Sequence, residues 1–352
     1  MDALAPDVER NRRQVAAWLL CVCGMILVMI GLGGATRLTG SGLSIMEWAP
    51  IRGALPPMSE AEWQRLYGLY QQIPQYQLKN AGFGIDGFKH IFWLEWAHRL
   101  WGRLIGLVFL FPLIWLWAKG RVERRLVPRL VVLFVLGGLQ GAVGWIMVRS
   151  GFFPESTAVS PYRLVVHLSL ALMLYAAVLW TALSLLWPRV SDPSGHAKVT
   201  LARRLAGATV GFVAITILAG GFVAGIHAGI GYNTFPLMYG ELVPSGYARL
   251  SPFWRNLTEN NAAVQFDHRL VATLTLLIAT AAVITGMRAG LGRRARAAVI
   301  ALGVAVAGQY VLGVLTLLQA VPVALGTAHQ VMATLVLTAA LAAFHMMPVR
   351  RE

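Results

Sequence analysis

The chain of 352 residues is 57% hydrophobic and only 13% charged, and its formal net charge is +15. Soluble domains carry about 25% charged residues, so this composition excludes an ordinary soluble protein. A strong positive charge is compatible with nucleic-acid binding, but the distribution of the basic residues along the chain argues against that use.

Apolar segments of about 20 residues recur along the whole chain, and each is long enough to cross a bilayer. A backbone in lipid has to satisfy its own hydrogen bonds, so runs of this length indicate α-helices. We therefore predict an all-α integral membrane protein with eight transmembrane helices. The predicted spans are residues 15–35, 96–118, 126–148, 162–187, 202–226, 267–287, 295–318 and 327–347.

The basic residues indicate the orientation of these spans. Most of the 30 Lys and Arg residues stand before the first span, after the last, or in the connections that follow spans two, four and six. The positive-inside rule then places both termini in the cytoplasm. The charged N-terminus leads directly into a long span, without a cleavable signal or transit peptide. The absence of such a peptide favours a bacterial inner membrane. We interpret the positive net charge as a signal of membrane topology and not of nucleic-acid binding.

The sequence repeats itself once. An even number of helices per repeat gives both repeats the same orientation in the membrane. We therefore expect two pseudo-symmetric four-helix bundles, in residues 1–190 and 191–352, joined by a cytoplasmic linker at 187–198. The matching segments are EWAHRLWGRLIGL (95–107) with QFDHRLVATLTLL (265–277), LQGAVGWIMV (139–148) with GQYVLGVLTLLQ (308–319), and RLVVHLSLALML (163–174) with GTAHQVMATLVL (326–337).

Two outer connections, residues 36–95 and 227–266, are long. In residues 62–78 aromatic and polar side chains interleave, a pattern typical of a helix at the membrane interface. Loops of this length usually carry function. The alternative is that they only cover the bundle as a lid.

Four of the eight histidines lie near the start of an even-numbered span: His98, His167, His268 and His329. Even-numbered spans enter from the outside, so these histidines are expected on the periplasmic side, two in each repeat. Neutral imidazole is a good iron ligand, and two facing histidines in a four-helix bundle can hold a haem. We predict one bis-histidine haem site in each half. A zinc site needs three or four ligands together and is less well supported, and any one histidine alone could serve only packing.

The other histidines are expected to lack a ligand role. His196 falls in the linker, His90 and His227 lie in the outer connections, and His345 is near the inner end of the last span. Solvation is expected for the first three, with the alternative that His90 or His227 lines a site, and a structural role is expected for the fourth.

Two arginines follow histidines directly, Arg99 after His98 and Arg269 after His268. They could pair with the anionic propionates of a haem. The alternative is that they extend to lipid phosphates. Arg103 lies one turn deeper and is expected to pair inside the protein.

Glu95 distinguishes the two halves. It precedes His98 by three residues and so shares its helix face, whereas the matching residue is Gln265, which cannot ionise. A carboxylate beside one site could move protons or stabilise a cation. The alternative is an acid that caps the N-terminus of its helix.

Five segments that span nearly the whole chain stand out in this order: GGATRLTGSGLSIMEWAPIRGALPP (33–57), FKHIFWLEWAHRLWGRLIG (88–106), GYNTFPLM (231–238), FDHRLVA (266–272) and TAHQ (327–330). Together they resemble the heme A synthase family in its proteobacterial and mitochondrial branch. The resemblance implies an oxidoreductase that converts the C8 methyl group of haem O into the formyl group of haem A by successive hydroxylation, for terminal cytochrome oxidases.

The resemblance also implies roles for the histidines. His268 and His329 are expected to hold a haem b cofactor, and His98 and His167 to receive haem O beside a catalytic Glu95. The haem b as an electron relay to an unidentified acceptor is a hypothesis. A reactive, hydrophobic product favours direct hand-over from haem O synthase, although no motif indicates this partnership.

The chain departs from the family in two respects. It lacks the cysteine pairs that another branch carries in its outer loops, and Gly40 and His227 stand where acidic residues are expected in close relatives. These departures put an outer-loop function in doubt.

Two other classes of protein remain possible. A diheme b-type electron-transfer cytochrome would use the same four histidines, but it gives no reason for Glu95 against Gln265. A transporter built from parallel repeats should have broken helices at the midplane, whereas the histidines here lie near one face.

Overall fold

The computed structural model describes residues 6–189, 191–192 and 197–350, so the expectation for His196 lies outside the described residues. Two short strands, Ser191–Asp192 and Val349–Arg350, pair in parallel. The α-helices are α1 (Pro6–Leu38), α2 (Glu60–Tyr70), α3 (Ile85–Ala118), α4 (Val127–Arg149), α5 (Pro161–Leu186), α6 (Ala197–Gly225), α7 (Asn256–Glu259), α8 (Asn261–Met287), α9 (Arg293–Leu318) and α10 (Val323–Met346).

Eight of these helices are long and apolar enough to cross a membrane, all of them except α2 and α7. Within the described residues, the prediction of an all-α protein with eight spans is therefore confirmed. The chain has two compact units, residues 21–174, and residues 1–20 together with 175–352. The predicted division into two functional halves at residue 190 stays a prediction.

The largest errors in the predicted boundaries concern α1 and α3, which begin at Pro6 and Ile85 instead of residues 15 and 96. Hydropathy marks only the part of a helix that lies in hydrocarbon. Outside it, a helix continues as long as local interactions favour it. In the first turn of α1, Asp7 and Glu9 suit the positive end of the helix dipole, and Glu9 also pairs with Arg13 at 2.5 Å.

The first outer connection folds onto the outer extension of α3. Helix α2 begins at Ser59, whose side chain accepts a hydrogen bond from the Glu62 amide at 3.2 Å. The expected interfacial helix at 62–78 ends at Tyr70, and its aromatic face is buried in the protein instead of facing lipid. Partners distant in sequence provide this burial. The cluster consists of Leu43, Trp63, Leu66, Tyr70, Ile73, Phe88, Ile91 and Phe92.

The second outer connection is held by two asparagines. Asn256 is fully buried, and its amide exchanges hydrogen bonds of 2.9 Å with the backbone N–H and C=O of Leu250. Asn260 caps α8 by accepting from the Ala262 amide at 3.0 Å, and it donates to the Gly246 carbonyl at 2.7 Å. These bonds fix the loop where it enters the histidine-bearing helix.

Candidate functional site

Two of the predicted ligands, His268 on α8 and His329 on α10, face each other. Their ring centres are 6.5 Å apart and their planes are nearly perpendicular, at 89°. A metal–imidazole bond is about 2 Å long, and a ring nitrogen lies about 1.1 Å from the ring centre, so two imidazoles on opposite sides of one ion should be roughly 6 Å apart. The observed spacing fits a haem iron with two axial histidines.

The hydrogen bond of His268 also suits a metal ligand. Its Nδ1 donates to the Thr216 carbonyl at 3.2 Å, which leaves Nε2 unprotonated for a metal. In the described part of the chain, Nδ1 of His329 is buried without a partner. Gln309 donates to the backbone carbonyl of His329 at 3.1 Å, not to its ring.

The other two predicted ligands are His98 on α3 and His167 on α5. The Gln140 amide nitrogen is 3.1 Å from Nδ1 of His167 and donates to the His167 carbonyl at 2.7 Å. A donor facing Nδ1 places the ring proton on Nε2. Binding of a metal through Nε2 of His167 therefore requires the Gln140 amide to turn, whereas His268 needs no such change.

Each of the four histidine rings packs against a glycine of a neighbouring helix. A Cβ atom at Gly220 would lie 2.9 Å from Cε1 of His268, and one at Gly313 would lie 2.8 Å from Cε1 of His329. The corresponding distance is 2.9 Å between Gly144 and Cε1 of His167, and 3.2 Å between Gly33 and Nε2 of His98. Only glycine lets these rings approach the helix backbone. The repeat pointed to Gly144 and Gly313, but not to Gly33 and Gly220.

Glu95 is buried, with 2% of its surface exposed, and both of its oxygens are occupied. Oε2 accepts from the amide and the hydroxyl of Ser44, both at 2.7 Å, and from the Ile45 amide at 3.0 Å. Oε1 accepts from Nε and Nη2 of Arg99 at 3.1 and 2.6 Å. Since α3 begins ten residues earlier at Ile85, the helix-capping interpretation of Glu95 is wrong.

Gln265 occupies the matching position but has the opposite hydrogen-bonding role toward its connection. Its amide nitrogen donates to the carbonyls of Ala228 and Gly231 at 2.7 and 2.6 Å. Its Oε1 accepts from Nη2 of Arg269 at 2.6 Å. Both residues thus tie an outer connection to a histidine-bearing helix, one by accepting hydrogen bonds and the other by donating them.

The arginines after the histidines hold the same connections. Arg99 donates to the carbonyls of Glu47 and Ile45 at 2.7 and 2.8 Å. Arg269 donates to those of Thr234 and Tyr232 at 2.9 and 2.6 Å. All three guanidinium nitrogens of Arg99 are engaged, whereas Nε of Arg269 is buried without a partner in the described residues. The pairing with propionates stays a prediction.

Arg103 bonds within the protein, as predicted. Its Nε and Nη2 donate to the carbonyls of Pro50 and Ala49 at 2.8 and 3.1 Å. Gly40, where an acidic residue was expected, has a φ of +69°, a conformation that favours glycine. Its carbonyl accepts from the Gln75 amide at 3.0 Å.

The remaining described histidines stand apart from these pairs. His90 is exposed, but it lies on α3 and not in a loop, and His227 is exposed with a φ of +58°. His345 is buried, contacts the Trp187 carbonyl at 2.9 Å and packs edge-on against Trp180. These contacts give His345 the structural role that was expected.

The chain is similar to a family and to named proteins over most of its length. A family model described as COX15-CtaA, cytochrome oxidase assembly protein, matches residues 16–341. The chain is 62% identical over 343 residues to the heme A synthase of Granulibacter bethesdensis, which covers 97% of this chain and 89% of that protein. It is 49% identical over 318 residues to the heme A synthase of Rhodospirillum centenum, with 90% and 84% covered.

A third relative, heme A synthase 2 of Acidiphilium cryptum, is 47% identical over 332 residues, with 94% of this chain and 90% of the relative covered. The resemblance inferred from the motifs is therefore confirmed. On the extent of these matches, the chain belongs to the COX15-CtaA family of cytochrome oxidase assembly proteins.

Proposed function

We propose that this chain is a heme A synthase of the bacterial inner membrane, an oxidoreductase that converts the C8 methyl group of haem O into the formyl group of haem A. The names of its relatives support this proposal. The observation that carries it is the asymmetry between Glu95 and Gln265. A carboxylate stands three residues before His98, whereas an amide stands three residues before His268. This difference fits one reactive site and one cofactor site.

The resident haem b is held by His268 and His329 in this proposal. The spacing and orientation of the two rings fit a bis-histidine haem, and such a haem supplies one-electron transfer when bound. The protein contributes the hydrogen bond from His268 to the Thr216 carbonyl, which leaves Nε2 unprotonated and available to a metal. The buried, unpartnered Nε of Arg269 is left to bind a propionate.

The substrate haem O is received between His98 and His167. The Gln140 amide has to turn before His167 can bind iron through Nε2, which suits a ligand that takes up and releases a substrate. A histidine whose Nε2 is already unprotonated, as in His268, suits a permanent cofactor instead.

Glu95 supplies the carboxylate of the reactive site in this scheme. Its two oxygens accept five hydrogen bonds, two of them from Arg99, and these bonds fix the position of the side chain. The proposed role of this carboxylate is to stabilise a positive charge that develops on the substrate. If water supplies the oxygen atom, oxidation of a methyl group to a formyl group releases four electrons and four protons, and the electrons pass to an external acceptor.

The basic connections support an orientation with both termini in the cytoplasm and the histidine pairs toward the periplasm. Haem O reaches such a site from the bilayer or directly from haem O synthase. The hydrophobicity of the substrate favours the direct transfer.

The first test is to identify the haems in the protein purified in detergent. We expect a reduced-minus-oxidised spectrum with a b-type haem, and chromatography of the extract should give haem b together with haem O or haem A. Haem b alone, at about two per chain, would favour the diheme electron-transfer cytochrome. The absence of haem, from cells that make it, would contradict the four-histidine sites.

A further inference from the structure

The segment from Trp48 to Met58 exposes apolar side chains outside any predicted span. Ile51, Leu55 and Met58 are 85%, 73% and 83% exposed, and Trp48 is 47% exposed. Side chains of this kind are costly in water and normally mark a contact surface. The question is what covers them.

The depth of this segment follows from its contact with Arg103. Arg103 lies fifteen residues before Ala118, where α3 ends, which is about 22 Å along a helix. The hydrocarbon core is about 30 Å thick, and the basic pair Lys119 and Arg121 marks its inner boundary. Arg103 therefore lies below the outer boundary of the core. The carbonyls of Ala49 and Pro50, which its guanidinium binds, lie within the length of an arginine side chain of this depth, at the outer edge of the core.

Part of the backbone of this segment has its polar groups satisfied, as hydrocarbon requires. Non-helical backbone at membrane depth is tolerated only where its polar groups have partners. The amides of Gly53, Ala54 and Leu55 donate to carbonyls three or four residues earlier, at 2.9, 3.1 and 3.2 Å. Pro50, Pro56 and Pro57 have no N–H to satisfy.

Both ends of the segment are polar. On one side Glu47 pairs with Arg65 at 2.9 Å, and on the other Ser59 caps α2. Next to Glu47, Trp48 stacks on Trp145, with ring centres 6.3 Å apart, near the outer end of α4. Tryptophan is enriched at this level of the bilayer. The chain therefore enters the membrane at Trp48 and returns to the interface by Ser59.

We propose that residues 48–58 form a re-entrant hairpin in the outer leaflet, with Ile51 and Leu55 in contact with lipid acyl chains. The inference rests on the membrane-spanning fold and not on the proposed reaction. Within the described residues, we find no equivalent anchor for the second outer connection. The residue that matches Arg103 is Thr273, whose hydroxyl pairs with Tyr310 at 3.0 Å.

The proposal can be tested by measuring the depth of nitroxide labels in lipid nanodiscs. Ile51→Cys and Leu55→Cys would be labelled one at a time in a background with Cys21→Ala and Cys23→Ala, which replaces the two native cysteines. Val132→Cys, on the exposed face of α4, is the lipid control, and Gln72→Cys, exposed in the outer connection, is the water control.

We expect labels at residues 51 and 55 to collide with oxygen more than with a water-soluble nickel chelate, as at residue 132. A ratio equal to that at residue 72 would overturn the proposal. So would labels that neither agent reaches, since protein would then cover the segment.

A second measurement uses the unsubstituted chain, so that it does not depend on folding of the variants. Phospholipids with a photoreactive diazirine on the acyl chain should crosslink to residues 51–58 as they do to α4. Crosslinks to α4 without any in 51–58 would contradict the hairpin. Because neither assay measures haem or turnover, failure of the hairpin is distinguishable from failure of the proposed function.

Discussion

Glu95 and Gln265 occupy the same place in the two repeats, but they hold their outer connections with opposite polarity. Glu95 accepts from two amides and a hydroxyl of the connection, and Gln265 donates to two carbonyls. In both cases an arginine four residues later binds carbonyls of the same connection. The comparison shows that the repeats share a way of anchoring a loop, while only the first repeat has a carboxylate three residues before its histidine.

The largest effect is expected for His268→Ala. Loss of one axial ligand should remove haem b and abolish haem A formation together, because the cofactor site is the electron relay in our proposal. The spectrum of the purified variant and chromatography of its haems measure both quantities. Full activity without haem b would contradict the relay.

Glu95→Gln should lower haem A formation by about 10²-fold or more, the usual effect of removing one electrostatic contact to a transition state. An amide nitrogen there would also meet the hydroxyl and amides that Oε2 now accepts from. We expect haem b to be retained, since its ligands lie in the other repeat. Product chromatography and the haem b spectrum are the measurements.

Gln265→Glu is the matched control for that substitution. It places a carboxylate against the carbonyls of Ala228 and Gly231. The free energy of unfolding should therefore fall by roughly 1–3 kcal/mol. Activity per folded molecule should fall far less than in Glu95→Gln. Equal losses of activity would mean that both residues serve only to anchor the loops.

Gly313→Ala should disturb the cofactor site moderately. The new Cβ would lie 2.8 Å from Cε1 of His329, so the ring has to shift. We expect an altered haem b spectrum and a lower affinity for haem b. Gly308→Ala on the same helix, 3.7 Å from Met332, is the control and should leave the spectrum unchanged. An unchanged spectrum in Gly313→Ala would show that the glycine is not needed by the ring.

The smallest effect is expected for Arg65→Ala. The hydrogen bonds from Arg65 lower the pKa of Glu47 and that of Glu62. A glutamate whose pKa is lower in the folded state than in the unfolded state stabilises the folded protein at pH values above the unfolded pKa, which is about 4.3. This stabilisation is lost as the pH falls through the pKa of the folded state. Since these side chains are exposed, the variant should lose less than about 1 kcal/mol at pH 7. Thermal unfolding at pH 7 and at acidic pH measures the difference, and a difference that persists in acid would contradict this assignment.

The sequence was sufficient for the spans and for the contrast between Glu95 and Gln265. Spans follow from the thickness of the bilayer, and the contrast follows from the internal repeat. The sequence did not reveal Ser44 or Thr216, because each binds its partner from more than fifty residues away. A backbone carbonyl, such as that of Thr216, is present at every position and so leaves no pattern. The burial of α2 against α3 was missed because an aromatic helix face reads the same in sequence whether protein or lipid covers it.

The opposite polarity of the two anchors has a consequence for how the repeats could have diverged. Neither residue fits the other's site, since a carboxylate would meet carbonyls at Ala228 and Gly231, and an amide nitrogen would meet donors at Ser44 and Ile45. A change from one state to the other therefore needs a loop rearrangement together with the substitution. A single substitution in either direction gives a less stable protein. The difference between Glu95 and Gln265 is therefore difficult to reverse.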